Sequence, residues 1–314
     1  MSNSFLTKSI IVVFSIFLIM APFIVGCGTE DEPIENVTEP LSPDDFSAAY
    51  DSARLDNIYF LTDEQAEELA DFHGNYLDLV NLQQLSVEQA SLLAEFKGKG
   101  LDLSALDTIS ADVADELAKS RAYRLYLNGL KNISPAVAAE LADFGGYEIF
   151  LNGLTTLGEE QAASLAGYDG KSIYLNGLKS VNDDEAQALS QSQAMYLTLD
   201  RLENASDQQI IMLSQFSGQG LSLNGLGKLT DAQAQALASF GGTELFLNGI
   251  EQINTAQAEA FSNFGGEQLY LVGLKSLTEK QAENLAEFKG ELFVDNLDSE
   301  SMALLEKYRD SQPR

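Results

Sequence analysis

Hydrophobic and polar positions along this chain recur every 24 residues. Equivalent apolar positions fall at Leu61, Leu85, Ile109, Ile133, Leu157, Val181, Ala205, Leu229, Ile253 and Leu277, and the last copy is one residue short near Gly290. Residues 229–252, LTDAQAQALASFGGTELFLNGIEQ, show the unit in clear form. A fixed period in this range predicts a solenoid, in which each copy buries its apolar face against its neighbours.

Within a copy the pattern first has helical spacing. Ala66, Leu69, Ala70 and Phe72 form one stripe, and Ala234, Leu237, Ala238 and Phe240 repeat it. This predicts a helix of about two to three turns. Thr62, Ser86, Thr230 and Thr278 stand three residues before Gln65, Gln89, Gln233 and Gln281, the pattern of a capping box. Acids such as Asp63, Glu64, Glu159 and Glu160 follow the start, where the helix dipole favours them. A recurrent glycine, at 74, 98, 146, 170, 218, 242, 266 and 290, reads as the helix stop, because glycine alone takes positive φ cheaply.

The pattern then becomes Leu-x-Leu, as at Leu125 and Leu127, Ile149 and Leu151, Ile173 and Leu175, and Leu245 and Leu247. It predicts a brief strand with its flanking residues inward and its middle residue outward. Asn and Gly follow at 128–129, 152–153, 176–177, 224–225 and 248–249. Asn-Gly is a hairpin signal elsewhere. Here a helix start comes next, so it predicts a solenoid corner.

A strand, a turn and a helix in each repeat resemble the leucine-rich-repeat family over about residues 54–297. The asparagine directly follows the second strand leucine, where the common motif places it three residues later. The pattern is closer to the Leu-x-Leu-Asn-Gly-Leu repeats of some bacterial envelope proteins. The expected fold is therefore α/β: a solenoid of about ten 24-residue strand-turn-helix repeats spanning 61–299. Parallel strands stack about 4.8 Å apart, whereas helices need about 8–10 Å. The stack should curve, with its parallel sheet on the concave face.

The ends differ. Residues 1–26 read as an export signal: Lys8, then an apolar stretch, then Ile24-Val25-Gly26-Cys27. This resembles a lipobox, with Cys27 as the lipid-bearing residue. It implies a bacterial lipoprotein attached to the membrane at the cell envelope, and, with Gly28 next, the outer membrane if the cell has two. Residues 27–45 are acidic and hold three of the chain's six prolines, which predicts a flexible tether. Residues 46–60 read as a partial repeat or N-terminal cap, and 300–314 as a C-terminal capping helix.

Net charge is −30, and −31 once residues 1–26 with their one lysine are removed. A nucleic-acid partner is excluded on that balance. Cys27 is the single cysteine and His73 the single histidine, so common zinc sites and Cys–His catalysis are not available. No metal site, cofactor or catalytic group is expected. Gly170-Lys171-Ser172 ends like a phosphate loop, but Leu165 occupies the place of the first glycine, and the repeat phase explains it as a corner.

The outward strand column carries the candidate chemistry. In order it reads Asp78, Asp102, Tyr126, Phe150, Tyr174, Thr198, Ser222, Phe246, Tyr270 and Phe293. Two aromatic runs would stand on the concave face, close enough to stack. They are either a ladder that stabilises the sheet or a recognition stripe. Arg124, Glu148, Ser172 and Tyr196 share the face and would supply polar contacts. The expected function is a non-catalytic module that binds a protein, peptide or glycan through Tyr126, Phe150, Tyr174, Tyr196, Phe246, Tyr270 and Arg124. The alternative is an envelope spacer with no specific ligand. Copies three and six place Ser120 and Ser192 where others have an aromatic ring, and Ala122 and Ala194 where others have glycine. That is either local repacking or a different loop, with Arg121 and Arg124 on one of them.

Overall fold

A computed structural model describes residues 52–311. The expected export signal (1–26), Cys27, the expected tether (27–45) and residues 46–51 of the expected cap lie outside the described residues. Strands and helices alternate along the chain. The strands are β1 (Ser52–Arg54), β2 (Tyr76–Asp78), β3 (Gly100–Asp102), β4 (Arg124–Tyr126), β5 (Glu148–Phe150), β6 (Ser172–Tyr174), β7 (Tyr196–Thr198), β8 (Gly220–Ser222), β9 (Glu244–Phe246), β10 (Gln268–Tyr270) and β11 (Glu291–Phe293). The helices are α1 (Asp63–Ala70), α2 (Val87–Leu93), α3 (Ala111–Ala118), α4 (Pro135–Ala142), α5 (Glu159–Leu165), α6 (Asp183–Leu189), α7 (Asp207–Leu213), α8 (Asp231–Ala238), α9 (Thr255–Ser262), α10 (Glu279–Ala286) and α11 (Ser299–Ser311).

The strands form one parallel sheet in chain order from β1 to β11. Each pairs in register with the equivalent residues one repeat on, as Leu125 does with Leu101 and Ile149. The missing residue of the last copy is absorbed without a slip, so Tyr270 still faces Phe293. This is an α/β solenoid of about ten repeats. Each repeat buries both leucines of its strand, a leucine at the corner and the inner stripe of its helix, as with Leu125, Leu127, Leu130 and Leu141. Helix α11 closes the last copy: Leu305 is buried, and Ser301 Oγ accepts a 2.7 Å hydrogen bond from Leu277 N.

Where a glutamine stands at the third helical position, as in α2, α8, α9 and α10, it serves two repeats. In the capping box of α2, Gln89 Oε1 accepts from Ser86 N, and Gln89 N donates to Ser86 Oγ. Its Nε2 also donates to Leu61 O in the previous repeat at 2.8 Å. Gln233, Gln257 and Gln281 make the same cross-repeat bond at 2.7–2.9 Å. A glutamate could form the box but has no N–H for the second bond. Asparagine also starts helices here, at Asn182 and Asn254, each with a complete box.

The recurrent glycine is not the helix stop. Helices end three to four residues earlier, at residues such as Ala94, Ala166 and Glu287 in ordinary right-handed conformation. Gly98, Gly146, Gly170, Gly218, Gly242, Gly266 and Gly290 all lack a left-handed φ. Their role is steric. A Cβ on Gly146 would lie 2.1 Å from Phe144 Cζ and 2.8 Å from Ala122 O of the previous repeat. The aromatic ring two residues earlier folds over the glycine and fills the space a side chain would need. This explains copies three and six. Where the ring is replaced by Ser120 or Ser192, the glycine becomes Ala122 or Ala194, and the serine Oγ accepts from the alanine N at 3.2 and 3.3 Å. The loop path is unchanged: Arg121 N bonds to Ala94 O and Gln193 N to Ala166 O, as Gly145 N does to Ala118 O.

At the corners, asparagine side chains join one repeat to the next. Asn128 Oδ1 accepts from Asn152 N, Asn152 from Asn176 N, Asn176 from Asp200 N, and the series continues through Asn224 to Val272 N at 2.8–3.3 Å. The adjoining glycines allow close backbone approach: a Cβ on Gly153 would lie 2.0 Å from Asn128 O.

Repeat spacing widens from the sheet toward the helices. Stacked rings on the outward sheet face lie 4.1–4.3 Å apart. The inner rings nearer the helix ends, such as Phe216, Phe240, Phe264 and Phe288, lie 5.9–6.5 Å apart. A stack that fans in this way curves with its strands on the inner side.

Candidate functional site on the outward sheet face

The strand register sets Asp78, Asp102, Tyr126, Phe150, Tyr174, Thr198, Ser222, Phe246, Tyr270 and Phe293 in one row. Tyr126 stacks on Phe150 at 4.3 Å, and Phe150 on Tyr174 at 4.1 Å with planes 5° apart. Phe246, Tyr270 and Phe293 form a second stack. Buried Thr198 and Ser222 separate the two. The stacked rings are half-buried, with much of their faces covered by one another. Burial pushes the Tyr126 hydroxyl up to about 12, and it also raises Tyr174 and Tyr270. These phenols are therefore neutral donors near pH 7.

The residue two places earlier in each strand lies on the same face. Here Arg124 pairs with Glu148 and also donates from Nη1 to the Tyr76 hydroxyl at 2.9 Å. Glu148 and Ser172 are buried at this level. Burial works against the Arg124 charge, but the Glu148 hydrogen bond and charge outweigh it and hold the guanidinium above its ordinary range. Further along, the Tyr196 hydroxyl donates to Glu244 Oε1 at 2.7 Å. Burial first, then this bond, raises Tyr196. The face thus brings Tyr126, Phe150, Tyr174, Arg124 and Tyr196 together over β4–β7, and sets Phe246 and Tyr270 apart on β9 and β10.

Sequence reasoning missed the residues just before the strands. Tyr123, Tyr147 and Met195 are exposed by 46%, 38% and 42%, the large hydrophobic side chains left most open to solvent among the described residues. Tyr123 and Tyr147 stack at 4.5 Å. Lys171 Nζ, between the last two positions, stands 5.5 Å from the Tyr147 ring centre and 5.6 Å from that of Tyr196. The signal was present. Read down the copies, this column is Asn75, Lys99, Tyr123, Tyr147, Lys171, Met195, Gln219, Thr243 and Glu267. It lies two places before the Leu-x-Leu pattern and so carries no periodic apolar mark.

His73 lies exposed at its corner. Among the described residues, no three His, Cys, Asp or Glu side chains converge as a metal site would require. An open groove of about 850 Å³ lies on the helical side, lined by α7, α8 and the segment after α7, with Ile211, Ala236 and Phe216 among its residues.

Among solved structures, the chain is similar to one in the Toll–Spatzle complex, described as a molecular hub in Drosophila development and innate immunity. The TM-score is 0.51 at 16% identity, over 76% of this chain and 31% of that one. Toll is a leucine-rich-repeat protein, and at this identity the likeness concerns the fold alone. The chain spans about a third of the length of the structure it matches. No protein-family model matches the sequence, and no curated protein matches it.

Proposed function

We propose that this chain is a non-catalytic binding module of the cell envelope. In this reading Cys27 carries lipid after removal of residues 1–26, and the solenoid captures a partner on the outward face of its sheet. The observation that carries the reading is the grouping of the exposed Tyr123, Tyr147 and Met195 beside the half-buried stripe of β4–β7. Exposed apolar side chains that adjoin one another mark interaction sites far more often than single ones do. Tyr, Met and Arg, all present here, are the residue types enriched at such sites. Arg124 is held in place by two partners before any ligand arrives, which lowers the entropic cost of binding.

The test is capture of envelope components by the full chain, beside a Tyr123→Ala/Tyr147→Ala/Met195→Ala variant shown to be folded by circular dichroism. Capture should be lost in the variant. Equal capture by both forms would overturn the site. For the anchor, Cys27→Ala should abolish incorporation of a fatty-acid label and release the protein from the membrane fraction.

One observation favours the spacer reading for the stripe itself. The faces of Phe150 are covered by Tyr126 and Tyr174, so that ring is arranged for stability rather than contact. If a Tyr126→Ala/Phe150→Ala/Tyr174→Ala variant loses heat stability but keeps every capture, the stripe is scaffold and the binding edge lies beside it.

A further inference from the structure

The edge that carries Tyr123, Tyr147 and Met195 also has an unusual charge. The chain has 48 acidic residues against 18 basic ones. Yet over the corner, the pre-strand residue and the first strand residue of copies two to five, the basic residues are Lys97, Lys99, Arg121, Arg124 and Lys171, against Glu148 and Asp169. In copies seven to ten the same positions carry Lys289 against Glu244, Glu267 and Glu291. Arg121 is engaged by Glu95 at 2.9 Å and Arg124 by Glu148. Lys97, Lys99 and Lys171 enter no ion pair among the described residues. Three ammonium groups without an ion pair therefore flank an exposed aromatic pair on an otherwise acidic molecule, Lys171 among them lying over the Tyr147 and Tyr196 rings. The acids elsewhere act weakly here, because charges beyond about 8 Å are screened at physiological salt.

Resting on the binding-module reading, we propose that this edge receives an acidic peptide segment of a partner protein. The peptide's carboxylates lie against Lys99 and Lys171, and its apolar side chains lie against Tyr123, Tyr147 and Met195. Equivalent positions on neighbouring strands are about 4.8 Å apart, so Lys99 and Lys171, three strands apart, are separated by roughly 14 Å. An extended peptide covers that with about four to five residues. Acidic residues at both ends and an apolar one between them fit the order cation, ring, ring, cation. A glycan fits less well. Sugar rings stack on open aromatic faces, whereas Tyr123 and Tyr147 cover each other, and Lys171 lies near the Tyr147 ring.

The experiment uses the full chain and fluorescein-labelled poly-L-glutamate, with binding read by anisotropy at low and physiological salt. Three forms are compared: the natural sequence, Lys99→Glu/Lys171→Glu, and Lys179→Glu/Lys228→Glu, which makes the same charge change elsewhere. Hyaluronan, an anionic polysaccharide, is the second probe. The expected result is binding of polyglutamate that weakens with salt, falls at least tenfold in Lys99→Glu/Lys171→Glu and stays within twofold in the control. No binding by the natural chain, or equal loss in both variants, overturns the proposal. Binding of hyaluronan but not polyglutamate through Lys99 and Lys171 also overturns it, while leaving the edge as a binding surface. Loss of capture in the Tyr123/Tyr147/Met195 variant without polyglutamate binding would leave the module reading standing and this one refuted.

Discussion

The Tyr196 hydroxyl reaches Glu244, two strands away, by lying over Gly220 on the strand between them. Tyr76 does the same over Gly100 to meet Arg124, there as acceptor instead of donor. Each arrangement needs tyrosine, glycine and a charged residue at successive copies of one position. The missing side chain in the middle makes the long reach possible.

Gly220→Ala should therefore disturb the face. A Cβ there would lie 2.3 Å from Tyr196 Cδ1. The ring must move, and the Glu244 bond is strained or lost, at a cost of about 1–3 kcal/mol. Gly241→Ala is the control, since nothing lies within 4 Å of its added Cβ. It should be neutral or stabilise by up to about 1 kcal/mol through the unfolded chain. Thermal unfolding of the two variants checks both.

The pairing of ring and glycine predicts a coupled substitution. Gly242→Ala places a Cβ 2.3 Å from Phe240 Cζ, and Phe240→Ser removes a ring that packs between Phe216 and Phe264. Each alone should destabilise, the second by about 3–5 kcal/mol. Together they recreate the serine–alanine arrangement of copies three and six. The double variant should be more stable than the sum of the singles predicts by at least about 1 kcal/mol. A denaturant double-mutant cycle gives the value, and strict additivity would refute the coupling.

Asp78 predicts a pH dependence. Its Oδ1 is buried without a hydrogen-bond partner, and Asp102 is its register neighbour. Burial, then the Asp102 charge, push the carboxyl up from 3.8 to about 6, against a weaker pull from Arg54. A carboxyl that binds its proton more tightly when folded favours folding most below its unfolded value, and this contribution is lost as pH rises through about 6. Asp78→Asn should then be more stable than the natural chain at pH 7–8 by about 1–2 kcal/mol, after allowance for solvent screening. The advantage should shrink toward pH 4. Urea midpoints across that range test the sign.

The asparagine series predicts a difference between two replacements. Asn152→Leu leaves Asn176 N without its acceptor, at a cost of about 1–3 kcal/mol. Asn152→Asp keeps an acceptor, as Asp200 does naturally for Asn224 N. It should cost clearly less in the same unfolding measurement.

Most of the fold was legible because every copy repeats the same apolar positions, and the strand register follows from a 24-residue period that shortens by one residue only in the last copy. The glycine was legible as a position and misread as a cause. Positive φ is the usual reason for a recurrent glycine after a helix, and only the folded rings of residues such as Phe144 and Tyr168 show that the reason is space. The stripe was legible in the outward strand column. The extent to which Tyr126, Phe150 and Tyr174 cover one another was not, because it depends on a ring spacing that the sequence does not carry. Tyr123, Tyr147 and Lys171 were passed over because function was sought inside the strands, and these side chains stand one residue before them.

The corner bonds run one way along the stack, and each step is the same jump of one copy from a side-chain oxygen to the next backbone N–H. Cutting the chain at two equivalent points between Asn128 and Asn248 and rejoining it would leave an acceptor facing a donor at the seam. Whole copies can therefore be lost or duplicated in the gene without a new interface having to be invented.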